Sequence, residues 1–137
     1  MFDLTSKKGA HAAERLRDNI IGWFTTVRPD GRPHSVAVWF LWDGTSILVF
    51  SKPKNQKLVN IQQNPKVLLL MDDTDEGEDV VAIEGTAELV DDPSLSTAAL
   101  PAYVAKYGKH IQNLNWTPES MAKEYSQAIR ITPTRLA

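Results

Sequence analysis

Arg28-Pro29-Asp30-Gly31-Arg32-Pro33, then His34-Ser35-Val36-Ala37-Val38-Trp39-Phe40-Leu41-Trp42, then Asp43-Gly44 (28–44) is the stretch whose reading decides the fold. Pro29 presets the backbone for a turn, and Gly31 supplies the positive φ that a tight turn needs. Ser35–Trp42 is a run of β-branched and aromatic residues, which predicts a strand. Asp-Gly at its end is a hairpin signal. Both faces of this strand are apolar, whereas a small antiparallel sheet usually turns a polar face to water. A second buried face calls for a dimer interface, a ligand, or both.

Outward from this stretch, Ile20–Val27 before the turn and Ser46–Ser51 after the hairpin complete a three-stranded meander. Lys52-Pro53-Lys54-Asn55 ends it. Gln56–Gln63 has helical spacing at Leu58 and Ile61, and Asn64-Pro65 stops the helix because proline cannot continue one. Lys66–Asp72 and Val80–Val90 are further strands. The acidic stretch between them, Asp73–Asp79, lacks the regular spacing of a calcium loop and reads as a solvated hairpin tip. In the longer strand Val81, Ile83, Ala87 and Leu89 share one face, and Glu84, Thr86 and Glu88 the other. Gly85 falls on the apolar face, which predicts a bend or a close backbone approach. Helices are expected over about His11–Asp18, Ser94–Tyr107 and Pro118–Tyr125, and a closing strand over Gln127–Thr132. About six strands joined mostly by hairpins close into a barrel, since closure removes exposed edges. The predicted class is mainly β with short helices (α+β), an antiparallel six-stranded barrel forming one domain over residues 1–137.

Composition narrows the function. The chain has 137 residues, no cysteine and a formal net charge of −2. It is long enough to fold without a metal or disulfide staple. The absence of cysteine excludes a disulfide framework, a thiolate zinc site and a cysteine nucleophile, and fits a cytoplasmic location. The charge balance argues against nucleic acid or an anionic membrane as partner. No run of about eighteen apolar residues suggests a membrane span, and Met1–Ala10 does not read as a secretory signal. The three histidines, His11, His34 and His110, lack ligand spacing, so no metal site is expected. There is no nucleophile elbow, no Gly-x-Gly-x-x-Gly and no P-loop, and no catalytic residue is assigned. Trp23, Trp39, Trp42 and Trp116 taken singly read as packing residues. Ser51-Lys52-Pro53-Lys54-Asn55-Gln56-Lys57 is different: it hands a strand over to a helix N-terminus, where free N–H groups and lysines suit a phosphate.

Thr26-Val27-Arg28-Pro29-Asp30-Gly31-Arg32-Pro33-His34, Val38–Gly44, Phe50-Ser51, Lys57, Asn60-Ile61, Asn64-Pro65-Lys66-Val67 and Glu84-Gly85-Thr86-Ala87 occur in an order that resembles the pyridoxamine 5′-phosphate oxidase-like split-barrel family. The chain is most similar to its short deazaflavin-dependent members. The resemblance covers roughly Ile20–Val90, with an echo in Ile129–Arg135. It implies an FMN-binding type of split barrel and a homodimer with cofactor at the interface. It also implies an oxidoreductase that uses coenzyme F420, the favoured cofactor, or FMN on a small conjugated substrate. The same barrel could instead serve as a non-catalytic cofactor- or heme-binding module. The site residues implied are the strand His34, Ser35, Val36, Ala37, Val38 and Trp39, the aromatic–hydroxyl pair Phe50 and Ser51, and the phosphate pair Gln56 and Lys57. His34, Trp39 and Gln56 stand where relatives often carry a cation, which leaves Lys57, with Lys52 and Lys54 nearby, as the main anion site. Trp39 and Phe40 are expected as apolar walls. Hydride transfer belongs to a cofactor ring, so the protein needs to bind and orient it and exclude water rather than supply a triad.

Overall fold

The computed structural model describes residues 3–72 and 76–137. Its strands are β1 (Gly22–Val27), β2 (Pro33–Val38), β3 (Leu41–Trp42), β4 (Ile47–Ser51), β5 (Lys66–Met71), β6 (Val81–Val90) and β7 (Gln127–Leu136). Its helices are α1 (Lys7–Asp18), α2 (Gln56–Gln63), α3 (Pro93–Asn113) and α4 (Pro118–Glu124). All seven strands form one antiparallel sheet in the order β2-β1-β5-β6-β7-β4-β3.

That order rolls the sheet. The two outermost strands, β2 and β3, are joined by Trp39 and Phe40 alone. Three Cα steps cover at most about 11 Å, whereas the edges of a flat seven-stranded sheet would stand about 29 Å apart at the usual strand spacing. The sheet must therefore curl until its edges nearly meet, which is the split barrel, with helices added to it. The expected single strand Ser35–Trp42 is thus two strands broken at Trp39-Phe40, and the strand count rises from six to seven. The acidic tip is described only from Glu76 onward, so Asp73–Asp75 of the expected loop lie outside the described residues.

The barrel interior follows the alternation of the strands. Phe24, Ile47, Val49, Leu69, Met71, Ile83, Ile129 and Ile131 are fully buried inside it. Leu16 of α1 and Leu58 and Ile61 of α2 pack onto the same core. A second cluster lies on the other face of β3 and β4, where Leu41 and Leu48 meet Tyr107, Ile111 and Met121 of α3 and α4. This is why Ile47, Leu48 and Val49 are all buried in succession. Gly85 faces inward, as its place in the pattern predicts, and the β6–β7 register shifts between Glu84 and Gly85. No helix of the described residues is long and apolar enough to cross a membrane.

Candidate functional site

The break between β2 and β3 is held from outside by α3. The backbone N–H of Phe40 donates to Tyr107 Oη (2.9 Å), and that hydroxyl can donate to the carbonyl of Ile20 (2.8 Å) or of Phe40 (3.0 Å). Lys106 Nζ donates to the Phe40 carbonyl (3.0 Å) and lies over the Phe40 ring at 3.9 Å. Phe40 is fully buried, so it is a core residue and not the cofactor wall expected from the sequence. Trp39 turns the other way and stacks on Tyr107, with ring centroids 4.5 Å apart and planes 4° from parallel.

Trp39 thereby becomes a wall of a groove of about 310 Å³ between the sheet and the α3–α4 pair. Ala37, Val38, Trp39, Phe50 and Lys57 line its sheet side. Tyr103, Leu114, Trp116, Met121 and Tyr125 line the helical side. The rings support one another: Phe50 meets Tyr103 edge-on at 5.8 Å, and Trp116 lies 6.0 Å from Tyr125. Burial pushes the hydroxyl of Tyr103 far above the ordinary phenol value, so it stays neutral. Among the described residues no acidic side chain lines the groove.

Lys57 is the groove's charged group. It is buried, and burial lowers its ammonium below the usual lysine value. Among the described residues it has no hydrogen bond or ion pair. Its place follows from a polar pin between helix and sheet. Asn60 Nδ2 donates to Thr26 Oγ1 (2.8 Å), and both residues are almost wholly buried. Thr26 is the cross-strand partner of His34. Lys57, one turn before Asn60, therefore stands beside His34. Arg28, in the turn ahead of β2, completes a cationic corner, since the charges of both Arg28 and Lys57 act on His34. Two polar atoms there, Arg28 Nε and His34 Nδ1, are buried without a hydrogen-bond partner.

The ten residues expected from the sequence divide by geometry. Ala37, Val38, Trp39, Phe50 and Lys57 meet in the groove, and His34, outside its lining, lies within reach of the Lys57 charge. Val36 packs partly against the barrel core. Ser35 points to the outer face, where its hydroxyl lies 3.0 Å from that of Thr25. Ser51 is buried, and its hydroxyl donates to the Lys52 carbonyl (2.9 Å). Gln56 uses its amide on Asn60 Oδ1 (2.8 Å). Lys52 turns away to pair with Glu124 (3.2 Å). The sequence reading missed Arg28, because a turn arginine looks solvated until the strand register brings it back. It also missed the helical wall, because nothing in Ser94–Tyr125 shows which strand those helices cover. Among the described residues no three His, Cys, Asp or Glu side chains converge as metal ligands.

Comparison with known proteins agrees with this architecture. No curated protein matches the sequence. Among solved structures, an F420 reductase is 29% identical, with 90% of this chain and 94% of that one covered and a TM-score of 0.69. A conserved hypothetical protein of Mycobacterium tuberculosis is 28% identical, with 96% and 84% covered and a TM-score of 0.72. The heme storage protein HutZ of Vibrio cholerae shares the fold at 18% identity, with 96% and 92% covered and a TM-score of 0.68. The model of the pyridoxamine 5′-phosphate oxidase family matches residues 9–137. With the rolled seven-stranded sheet and a match over nearly the whole sequence, the chain belongs to the pyridoxamine 5′-phosphate oxidase family.

Proposed function

We propose that this protein is an oxidoreductase that binds coenzyme F420, or less favourably FMN, in the groove between its sheet and the α3–α4 pair. The observation that carries this reading is Lys57, a largely buried side chain with no partner among the described residues, which lines an aromatic groove free of acidic side chains among the described residues and acts, with Arg28, on His34. A cation in a groove without an acid to pair with is open to an anion, and Arg28 Nε and His34 Nδ1 are buried without partners. A phosphate group would satisfy both deficits. The 29% identity to an F420 reductase tilts the choice toward the deazaflavin.

The chain's own contribution is binding, orientation and exclusion of water. Lys57 and Arg28 hold the phosphate. Trp39, fixed by its stack on Tyr107, and Phe50 flank the ring system. The bound cofactor supplies hydride transfer to a small conjugated acceptor. The site is shared between two copies in this proposal. The outer face of β1, β2 and β5 carries Trp23 beside Ala37 and Leu70. Trp23 is 46% exposed and the nearby Ile21 38%, an apolar patch suited to a second copy.

Titration of purified protein with coenzyme F420, FMN and heme, followed by visible absorbance, tests the reading. The expected result is tightest binding of the deazaflavin, then reduction of the bound cofactor and its reoxidation by an acceptor. Binding of heme alone would make the protein a non-catalytic binding module. Binding of none of the three would remove the cofactor site.

A further inference from the structure

The cationic corner holds two cations of fixed charge near neutrality and one group whose charge depends on pH. Arg28 brings a guanidinium, and Lys57, though burial lowers it, has no acid to pair with among the described residues. His34 is held below the ordinary imidazole value, first by burial and then by the charges of Arg28 and Lys57. No other charged group acts on it among the described residues: Asp30 and Arg32, in the same turn, are exposed and pair with each other at 2.8 Å. Thr26, opposite it on β1, is committed to Asn60 of α2. His34 Nδ1 is nonetheless buried with no hydrogen-bond partner. A ring nitrogen in that state, between two cations and facing no carboxylate, is poised for a ligand that brings negative charge.

We propose that a phosphate-bearing ligand binds at this corner with uptake of one proton by His34, so that the corner meets its ligand with three positive charges instead of two. The proton comes from solvent, and the imidazole becomes imidazolium. The imidazolium then donates an N–H to a phosphate oxygen. The anion reverses the field that keeps His34 neutral, and by linkage His34 protonation strengthens anion binding as much as the anion strengthens protonation. Affinity for phosphate therefore falls as pH rises through the titration of the complex, a sensitivity that an arginine at this position would lack. This inference rests on the anion end of the cofactor site proposed above.

Three probes separate the possibilities. Calorimetric titration of the full chain with FMN at pH 7.5, in two buffers of different ionisation enthalpy, counts protons taken up per ligand. The same titration uses riboflavin, which lacks the phosphate, and His34→Gln, which cannot titrate. Inorganic phosphate is added to the wild type while the His34 imidazole resonance is followed by NMR against pH, which needs no variant to fold. The wild type should take up more protons with FMN than His34→Gln does, and riboflavin should give no such difference. From pH 6 to 8 the wild type should lose severalfold more affinity for FMN than the variant, with about tenfold as the ceiling that one unit of coupling sets. Phosphate should move the His34 titration upward. Equal proton counts in wild type and variant, with FMN bound, overturn the proposal and leave the cofactor site standing. A His34 titration moved by phosphate without any binding of FMN supports the proposal and removes FMN from the cofactor reading, leaving coenzyme F420. If neither FMN nor phosphate binds, the proposal falls and only the coenzyme F420 form of the cofactor reading stands.

Discussion

The first side-chain carbon of any residue placed at position 85 would lie 2.7 Å from the Thr132 carbonyl oxygen and 3.0 Å from Cγ2 of Ile131. The first of these is backbone of the neighbouring strand and cannot swing aside. Gly85→Val should lower stability by about 1–3 kcal/mol through overpacking, read as a fall in thermal midpoint, and an unchanged midpoint would refute the inward placement. This residue was legible in the sequence, since a lone glycine on the apolar face of a strand has few other uses. Lys57 was legible for its chemistry but not its burial. Lys57→Ala should weaken FMN or deazaflavin binding about 10- to 150-fold, the worth of a charge-assisted hydrogen bond. The loss should shrink at high salt. Because Lys57 has no hydrogen bond or ion pair among the described residues, the same change should cost little stability in urea unfolding. Ser51→Ala behaves oppositely, since its hydroxyl already serves the Lys52 carbonyl. About 0.5–1.5 kcal/mol of stability should go, with little effect on binding.

Among the elements, α3 carries the largest share of what the sequence concealed. Its expected range, Ser94–Tyr107, stops six residues short of its end at Asn113, and nothing local shows that Tyr107 and Lys106 will grip Phe40 across separations of 67 and 66 residues. That grip breaks the apolar run 35–42 into two strands. Period-two patterning cannot reveal the break, because Trp39 and Phe40 face opposite ways with or without it. Tyr107→Phe should keep the stack on Trp39 but leave the Phe40 N–H unpaired, at a cost of about 1–3 kcal/mol. Lys106 adds a pH dependence. Burial brings its ammonium down to about 8, so the unfolded chain binds more protons than the folded one from there up to the ordinary lysine value. Its contribution to stability should therefore rise with pH across that window and be absent in Lys106→Gln. Buried Tyr103 and Tyr107, whose hydroxyls are raised, act with the opposite sign once tyrosines of the unfolded chain ionise near pH 10. Urea unfolding of both proteins at pH 7.5 and 9.5 reads the lysine effect before that crossover. A wild-type advantage that failed to grow with pH would contradict the burial of Lys106.

At the scale of the molecule, the barrel and its closure could be read from hairpin spacing and turn chemistry, but the strand order could not. Strands β1 and β2, β3 and β4, and β5 and β6 are neighbours in sequence and in the sheet, and their turns announce them. The β1–β5 and β4–β7 pairings join distant segments, and only tertiary packing selects those. The outer patch at Trp23 predicts a mass near twice that of the chain by light scattering at micromolar concentration. A monomer under those conditions would leave the groove as a site within one copy.

Strand β7 is the keystone of this order. It lies between β6 and β4, and among the described residues its pairing with β4 is the one ladder that ties the β3–β4 hairpin to the rest of the sheet. On a ribosome, the β2-β1-β5-β6 ribbon and the β3–β4 hairpin would both be complete long before residue 127 is added. Until then each would carry an open backbone edge on the side that β7 will fill, and unpaired edges invite other chains. Nascent chains halted before Gln127 should accordingly be protease-sensitive and chaperone-bound, and resistance should appear in one step once β7 clears the exit tunnel.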